Sequence, residues 1–171
     1  GTAFPHLLKG SGGTLPWETV TLAVSGVAVL GGLLMAALVP DGPFLARGAR
    51  FDPLALVRIF RTPAFRASSF GYFGHMWELY AFWAFLPHVI VWQAPQMALD
   101  EVSLWTFAVI AAGSVGCVAG GLASLRRGSA RVAYAQLTAS GLCCLASPLA
   151  FLAPTPVFLA FLLFWGVVVV G

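Results

Sequence analysis

Charge is what this sequence has least of. Nine of its 171 residues are Lys or Arg and six are Asp or Glu, so charged residues make up 9% of the chain. A water-soluble domain carries roughly 25%. Hydrophobic residues reach 60% and the mean hydropathy is +0.91. So little polar surface could not cover a globule in water, and the expectation is an integral membrane protein. The formal net charge of +3 does not point to nucleic acid, because the Arg residues form two loop clusters and no stripe interleaved with exposed aromatics. Cysteine is scarce too. Cys117, Cys143 and Cys144 all fall within apolar runs, which excludes a disulfide framework. No segment alternates apolar and polar residues with period two, so barrel strands are excluded. No basic stretch precedes a cleavable apolar core, as a secretory signal peptide would require. The chain opens without Met at "GTAFPHLLKGSGG" and stops inside "FLLFWGVVVVG", and it reads as an internal piece of a longer polytopic protein.

What is present is long apolar runs. A spanning helix needs about 20 mostly apolar residues to cross a hydrocarbon core of about 30 Å. No charge occurs between Glu18 and Asp41, which places a first span at about 18–39. From Ala67 to Leu99 the only acidic residue is Glu78, giving a second at about 67–92; 102–125 is a third. The charge-free stretch after Arg131 is too long for one crossing, and "APTP" at 153–156 cuts it into spans of about 132–152 and 156–171. Thr14, Asp52, Thr62 and Thr155 stand just before or near Pro16, Pro53, Pro63 and Pro156, a capping oxygen followed by a first-turn proline. "DPLALVRIFR" reads as a short interfacial helix, with Leu54, Val57 and Phe60 on one side and Arg58 and Arg61 on the other. The fold class expected is an all-α polytopic transmembrane helix bundle.

Basic residues in short loops set orientation. The 40–66 segment holds Arg47, Arg50, Arg58, Arg61 and Arg66, and 126–131 holds Arg126, Arg127 and Arg131. The 93–101 loop holds Asp100 and Glu101 with no basic residue, and 153–156 is uncharged. Basic and non-basic loops alternate strictly, so the Arg-bearing loops are expected on the cytoplasmic side.

"FGYFGHMWELYAFWAF" (70–85) puts two ionisable residues, His75 and Glu78, inside the second span. At about 1.5 Å per residue Glu78 lies some 18 Å beyond Arg66, near mid-membrane. At 100° per residue Ser68, Gly71, Tyr72, His75, Glu78, Leu79, Phe82, Leu86 and Gln93 share one face, opposite Phe73, Trp77, Tyr80, Ala84 and Val91. Lipid cannot satisfy a polar stripe, so it must face a watered cavity or another helix. A proton-coupling or substrate-contact site at Tyr72, His75, Glu78 and Phe82 is one reading; an ion pair that only orients the helix is the other. A metal site built on His-x-x-Glu would need further ligands, and the cysteines read as small packing hydrophobes; neither a metal nor a cofactor is expected. Gly113, Gly116 and Gly120 read as helix-packing positions. Trp17, Trp92 and Trp105 read as interfacial anchors, His88 as interfacial, and Ser147-Pro148 as a kink.

A basic linker with an interfacial helix, an aromatic-rich helix and then "GGLASLRRGSARV" together resemble the major facilitator superfamily. In that family the loop after the second helix of each half reads Gly-x-x-x-Asp-Arg-x-Gly-Arg-Arg. Gly120 or Gly121, Arg126, Arg127, Gly128 and Arg131 match in kind; Ser124 or Leu125 stands where the family has Asp, and the spacing is one residue longer. The resemblance implies that 1–39 closes the N-terminal bundle, that 40–66 is the cytoplasmic linker, and that 67–171 holds the first four helices of the C-terminal bundle. It implies a secondary transporter of a small solute or ion in the plasma membrane of a bacterium, working by alternating access, as symporter or antiporter, against the N-terminal helices. Gly121, Arg126, Arg127, Gly128 and Arg131 would form a conformational-switch loop. The rivals are a non-transporting membrane scaffold and an intramembrane enzyme using His75 and Glu78 as acid and base; for the latter the sequence offers no nucleophile in a motif with a base.

Overall fold

The structure, a computed structural model, describes residues 3–11, 15–40 and 52–170. They form seven helices: α1 (Phe4–Gly10), α2 (Trp17–Leu38), α3 (Ala55–Arg61), α4 (Pro63–Gln93), α5 (Leu99–Arg127), α6 (Ser129–Ala150) and α7 (Thr155–Val170). There is no strand among the described residues. Three helices, α2, α5 and α6, are long and apolar enough to cross a membrane. Helix α4 is longer still, with 31 residues rising about 46 Å, but its polar stripe dilutes its apolarity. Helix α7 is apolar as well, with 16 described residues.

The helices outrun the expected spans. Helix α4 starts at Pro63, four residues ahead of the span expected from 67. Asp100 and Glu101 belong to the first turn of α5, where acidic side chains complement the helix dipole; the α4–α5 turn is only 94–98. The proline cue marked the helix starts, but not through side-chain caps. Thr62 makes no capping hydrogen bond to α4, and Thr155 is the first residue of α7 rather than its cap. Asp52 accepts from Leu54 N–H at 2.9 Å, ahead of the helix, and pairs with Arg58. Thr14, Arg47 and Arg50 lie outside the described residues.

The packed centre is the α5–α7 pair, on which both α4 and α6 lean. Its core joins Leu79, Phe82, Leu86 and Ile90 of α4 to Val102, Val109 and Ile110 of α5 and Phe158, Leu159, Leu162 and Val169 of α7. The recurring three- and four-residue steps are those of a single helix face. Small residues bring α5 and α7 close: a Cβ on Gly166 would collide with the Val109 carbonyl oxygen, and one on Gly113 would sit 2.5 Å from Val170 Cβ. Gly113, Gly116 and Gly120 are all buried, as expected of a packing seam.

Helix α2 is the opposite case. Val20 is its only buried residue, and its extensive contact among the described residues is with α1 alone. The short α1 lies along α5, where a Cβ on Gly10 would meet Leu104.

Candidate functional site

Helices α4 and α6 do not approach closely along their backbones. Side chains bridge the gap at one level. Ser140 Oγ donates to Glu78 Oε1 at 2.5 Å, and Cys144 Sγ lies 3.2 Å from the same oxygen. Ser140 is 1% exposed, whereas Glu78 is only partly buried. The second carboxylate oxygen, Oε2, makes no hydrogen bond among the described residues, and it is not a sealed-off atom either. It is therefore the oxygen free to meet a proton, water or ligand.

A cavity opens on each side of this bridge. The upper one, toward Gln93, has a volume of about 430 Å³ and is walled by Trp77, Glu78, Phe82, Phe85 and Leu86 of α4, Cys144 and Ser147 of α6, and Phe158, Phe161 and Trp165 of α7. Phe82 and Trp165 are tilted against each other with ring centroids 4.9 Å apart. The lower cavity, toward Pro63, is larger, about 860 Å³, and is lined by Ser68, Tyr72, His75, Gly120, Gly121, Ser124, Ser129, Tyr134 and Gln136. His75 Nδ1 is buried without a partner there among the described residues. Because α4 and α7 run in opposite senses, residues 158–165 of α7 line the upper cavity while Val168 reaches the lower one.

The four candidate residues of α4 are thus split. Tyr72 and His75 line the lower cavity; Glu78 and Phe82 line the upper. Phe73, Trp77, Tyr80 and Val91, assigned to the opposite face, are exposed, although Trp77 also forms part of the upper cavity's mouth. Gln93 is no cavity residue: its Nε2 donates to Ala153 O at 3.0 Å and ties α4 to the α6–α7 turn.

The 126–131 segment contracts to one residue. Arg126 and Arg127 close the last turn of α5, Gly128 joins the helices, and Arg131 lies in the first turn of α6. Gly128 has φ +83°, a backbone region that glycine enters without a Cβ penalty. The two Arg of α5 face the negative end of its dipole favourably. Gly120 is buried against Gln136, whereas Gly121 has open space around it.

Sequence reasoning missed Ser140, Cys144, Gln136 and Trp165. A signal for three of them existed. Gln136, Ser140, Cys144 and Ser147 recur every three or four residues and form one polar line along α6. Cys144 had been set aside as a packing residue, yet it lies on the carboxylate. No group of three or more metal-ligating side chains occurs among the described residues. No protein-family model, curated protein or solved structure matches this chain.

Proposed function

We propose that this chain is a secondary active transporter of the major-facilitator type in a bacterial plasma membrane, moving a small solute by alternating access with Glu78 as its proton-binding residue. The observation that carries this reading is the placement of Glu78 at the bridge between two cavities, one lying toward each end of α4. An ionised carboxylate at a helix centre costs about 2.5–3.5 kcal/mol on insertion scales. A chain that keeps one there, with one oxygen uncommitted, has a group whose protonation can be tied to motion. When Glu78 is ionised it accepts from Ser140 and holds α4 to α6. Protonation removes the charge that strengthens that bond, and the α4–α6 gap is freed to change shape. His75, one helical turn away, lines the lower cavity.

In this reading all of α2, α4, α5, α6 and α7 cross the membrane, with Arg126, Arg127 and Arg131 at the cytoplasmic rim. The one-residue Gly128 joint and the Arg residues around it act on switching rather than on the solute. Uncovered apolar surface on α2, and Trp77 and Phe85 at the cavity mouth, are where lipid and the helices of the other half would lie.

Accessibility tests this without knowledge of the solute. With Cys117 and Cys143 replaced by Ala, native Cys144 reports the upper cavity. Ser68→Cys, with Cys144→Ser, reports the lower. Cys144 is expected to react with an impermeant thiol reagent from the outside, and Ser68→Cys from the inside. Glu78→Gln, which mimics the protonated form, should change the two rates in opposite directions. Equal rates with and without Glu78→Gln would make Glu78 a structural residue and favour the scaffold.

A further inference from the structure

The chemistry of the upper cavity narrows what it can hold. Its walls are mostly rings: Trp77, Phe82, Phe85, Phe158, Phe161 and Trp165. Among the described residues Glu78 is its only charged side chain, and no Arg, Lys or His of theirs lines it. An anion would meet an unbalanced carboxylate. A sugar or polyol would need a hydrogen-bond partner for each hydroxyl, and the cavity has few to give: Ser147 Oγ is already spent on Cys144 O at 2.8 Å, and Cys144 on Glu78. A bare metal ion needs several oxygen or nitrogen ligands, and one carboxylate oxygen does not supply them. A neutral hydrophobe would fill the space but seal Glu78 away from water without compensation.

We propose that the upper cavity binds an organic monocation with an aromatic or otherwise apolar body, its charge on Glu78 Oε2 and its body among the rings. This specifies the solute class of the transport reading above and rests on it for the site's role. A ring-walled cavity suits such a cation twice over, since aromatic faces attract positive charge while burying apolar surface. A volume of about 430 Å³ lies within the usual range for drug-sized ligands. Trp77 and Phe85 are 81% and 64% exposed, so the cavity is open at these two rings, on the side where the helices of the other half would lie.

The test uses the whole chain in lipid nanodiscs and two size-matched ions of opposite sign, tetraphenylphosphonium and tetraphenylborate, with empty nanodiscs subtracted. Tetraphenylphosphonium should bind and quench tryptophan fluorescence, and tetraphenylborate should not bind above the empty nanodisc. Glu78→Gln should weaken tetraphenylphosphonium at least about tenfold, the scale of one charge-assisted contact, and leave neutral triphenylphosphine oxide unchanged. If Glu78→Gln does not fold, the comparison of the two ions on the unaltered chain still decides. Equal binding of both ions, or no binding of the cation, overturns the proposal. Failure here with opposite changes in Cys144 and Ser68→Cys labelling would remove only the solute class. Selective cation binding with labelling that does not change would instead leave a binding site in a protein that does not transport.

Discussion

The two cavities share a wall but differ in kind. Below the Glu78–Ser140 bridge the lining sets hydroxyls, an amide and an imidazole among glycines and aliphatic side chains; above it the lining is mostly aromatic rings around one carboxylate. Helices α4, α6 and α7 line both, α5 lines only the lower one, and the change of character occurs within one turn of α4, between His75 and Glu78. The lower chamber has the chemistry of a watered vestibule, since its polar groups can exchange partners with water at little cost. The upper has the chemistry of a recognition site, where apolar walls make a single charge count for more.

Helix α7 lines both chambers and packs most heavily on α5, so the largest effect should come from breaking the α5–α7 pair. Gly166→Val would drive a side chain into the Val109 carbonyl, backbone that cannot swing aside. Overpacking of this kind costs about 1–3 kcal/mol, and the upper end is expected here. In a detergent-unfolding titration the variant should lose stability by that amount, and Cys144 and Ser68→Cys should both become reactive from either side. A change confined to one chamber would mean that α7, held by α5, is not what keeps both chambers in shape.

The seam was legible in the sequence and the chambers were not, for a physical reason. Gly113, Gly116 and Gly120 announce close packing by spacing alone, and long charge-free runs announce helices by length. Glu78 was legible because a charge in an apolar run is conspicuous. Its partners were hidden because Ser and Cys are unremarkable in a membrane helix, and only the fold places α6 opposite α4. Helix ends were misjudged in one direction. Asp100, Glu101, Arg126 and Arg127 were read as loop because they are charged, yet each lies at the helix terminus its charge favours. Apolarity measures where lipid is, not where hydrogen-bonded backbone stops.

A smaller change sharpens the contrast without breaking the wall. Ser140→Ala removes the donor to Glu78 Oε1 and leaves Cys144, a weak donor, as its partner. A hydrogen bond between membrane helices is worth about 1 kcal/mol, and a stability loss of that order is expected. The functional effect should be larger than the energetic one. With α4 less firmly held to α6, the inside and outside labelling rates of Cys144 should converge, while Ser140→Thr, which restores a hydroxyl, should recover the difference. If Ser140→Ala labels like the unaltered chain, the bridge does not separate the chambers.

The smallest expected effect is confined to one end of the molecule, and so it tests whether the two chambers can be perturbed apart. His6 sits in α1, outside the spans, and is half-buried. Burial first, and the positive charge of Lys9 second, hold its pKa below the ordinary value of 6.5. The folded state therefore favours neutral His6, whereas an undocked α1 would bind a proton more readily. By linkage, the stability that His6 contributes to docking is fully present above 6.5 and declines as pH falls through that value; below the lowered folded pKa the loss stops growing. Helix α1 covers the N-terminal part of α5, near Leu104, and Lys9 lines a further outer hollow with His88 and Trp92. Acidification from about pH 8 to about pH 5 should thus raise amide exchange at Leu99–Thr106, after correction for intrinsic rates. Exchange at the lower chamber, residues 120–136, should stay level. His6→Gln should flatten the outer response, because Gln fills similar space without titrating. A response at Leu99–Thr106 that persists in His6→Gln would mean that His6 plays no part in it.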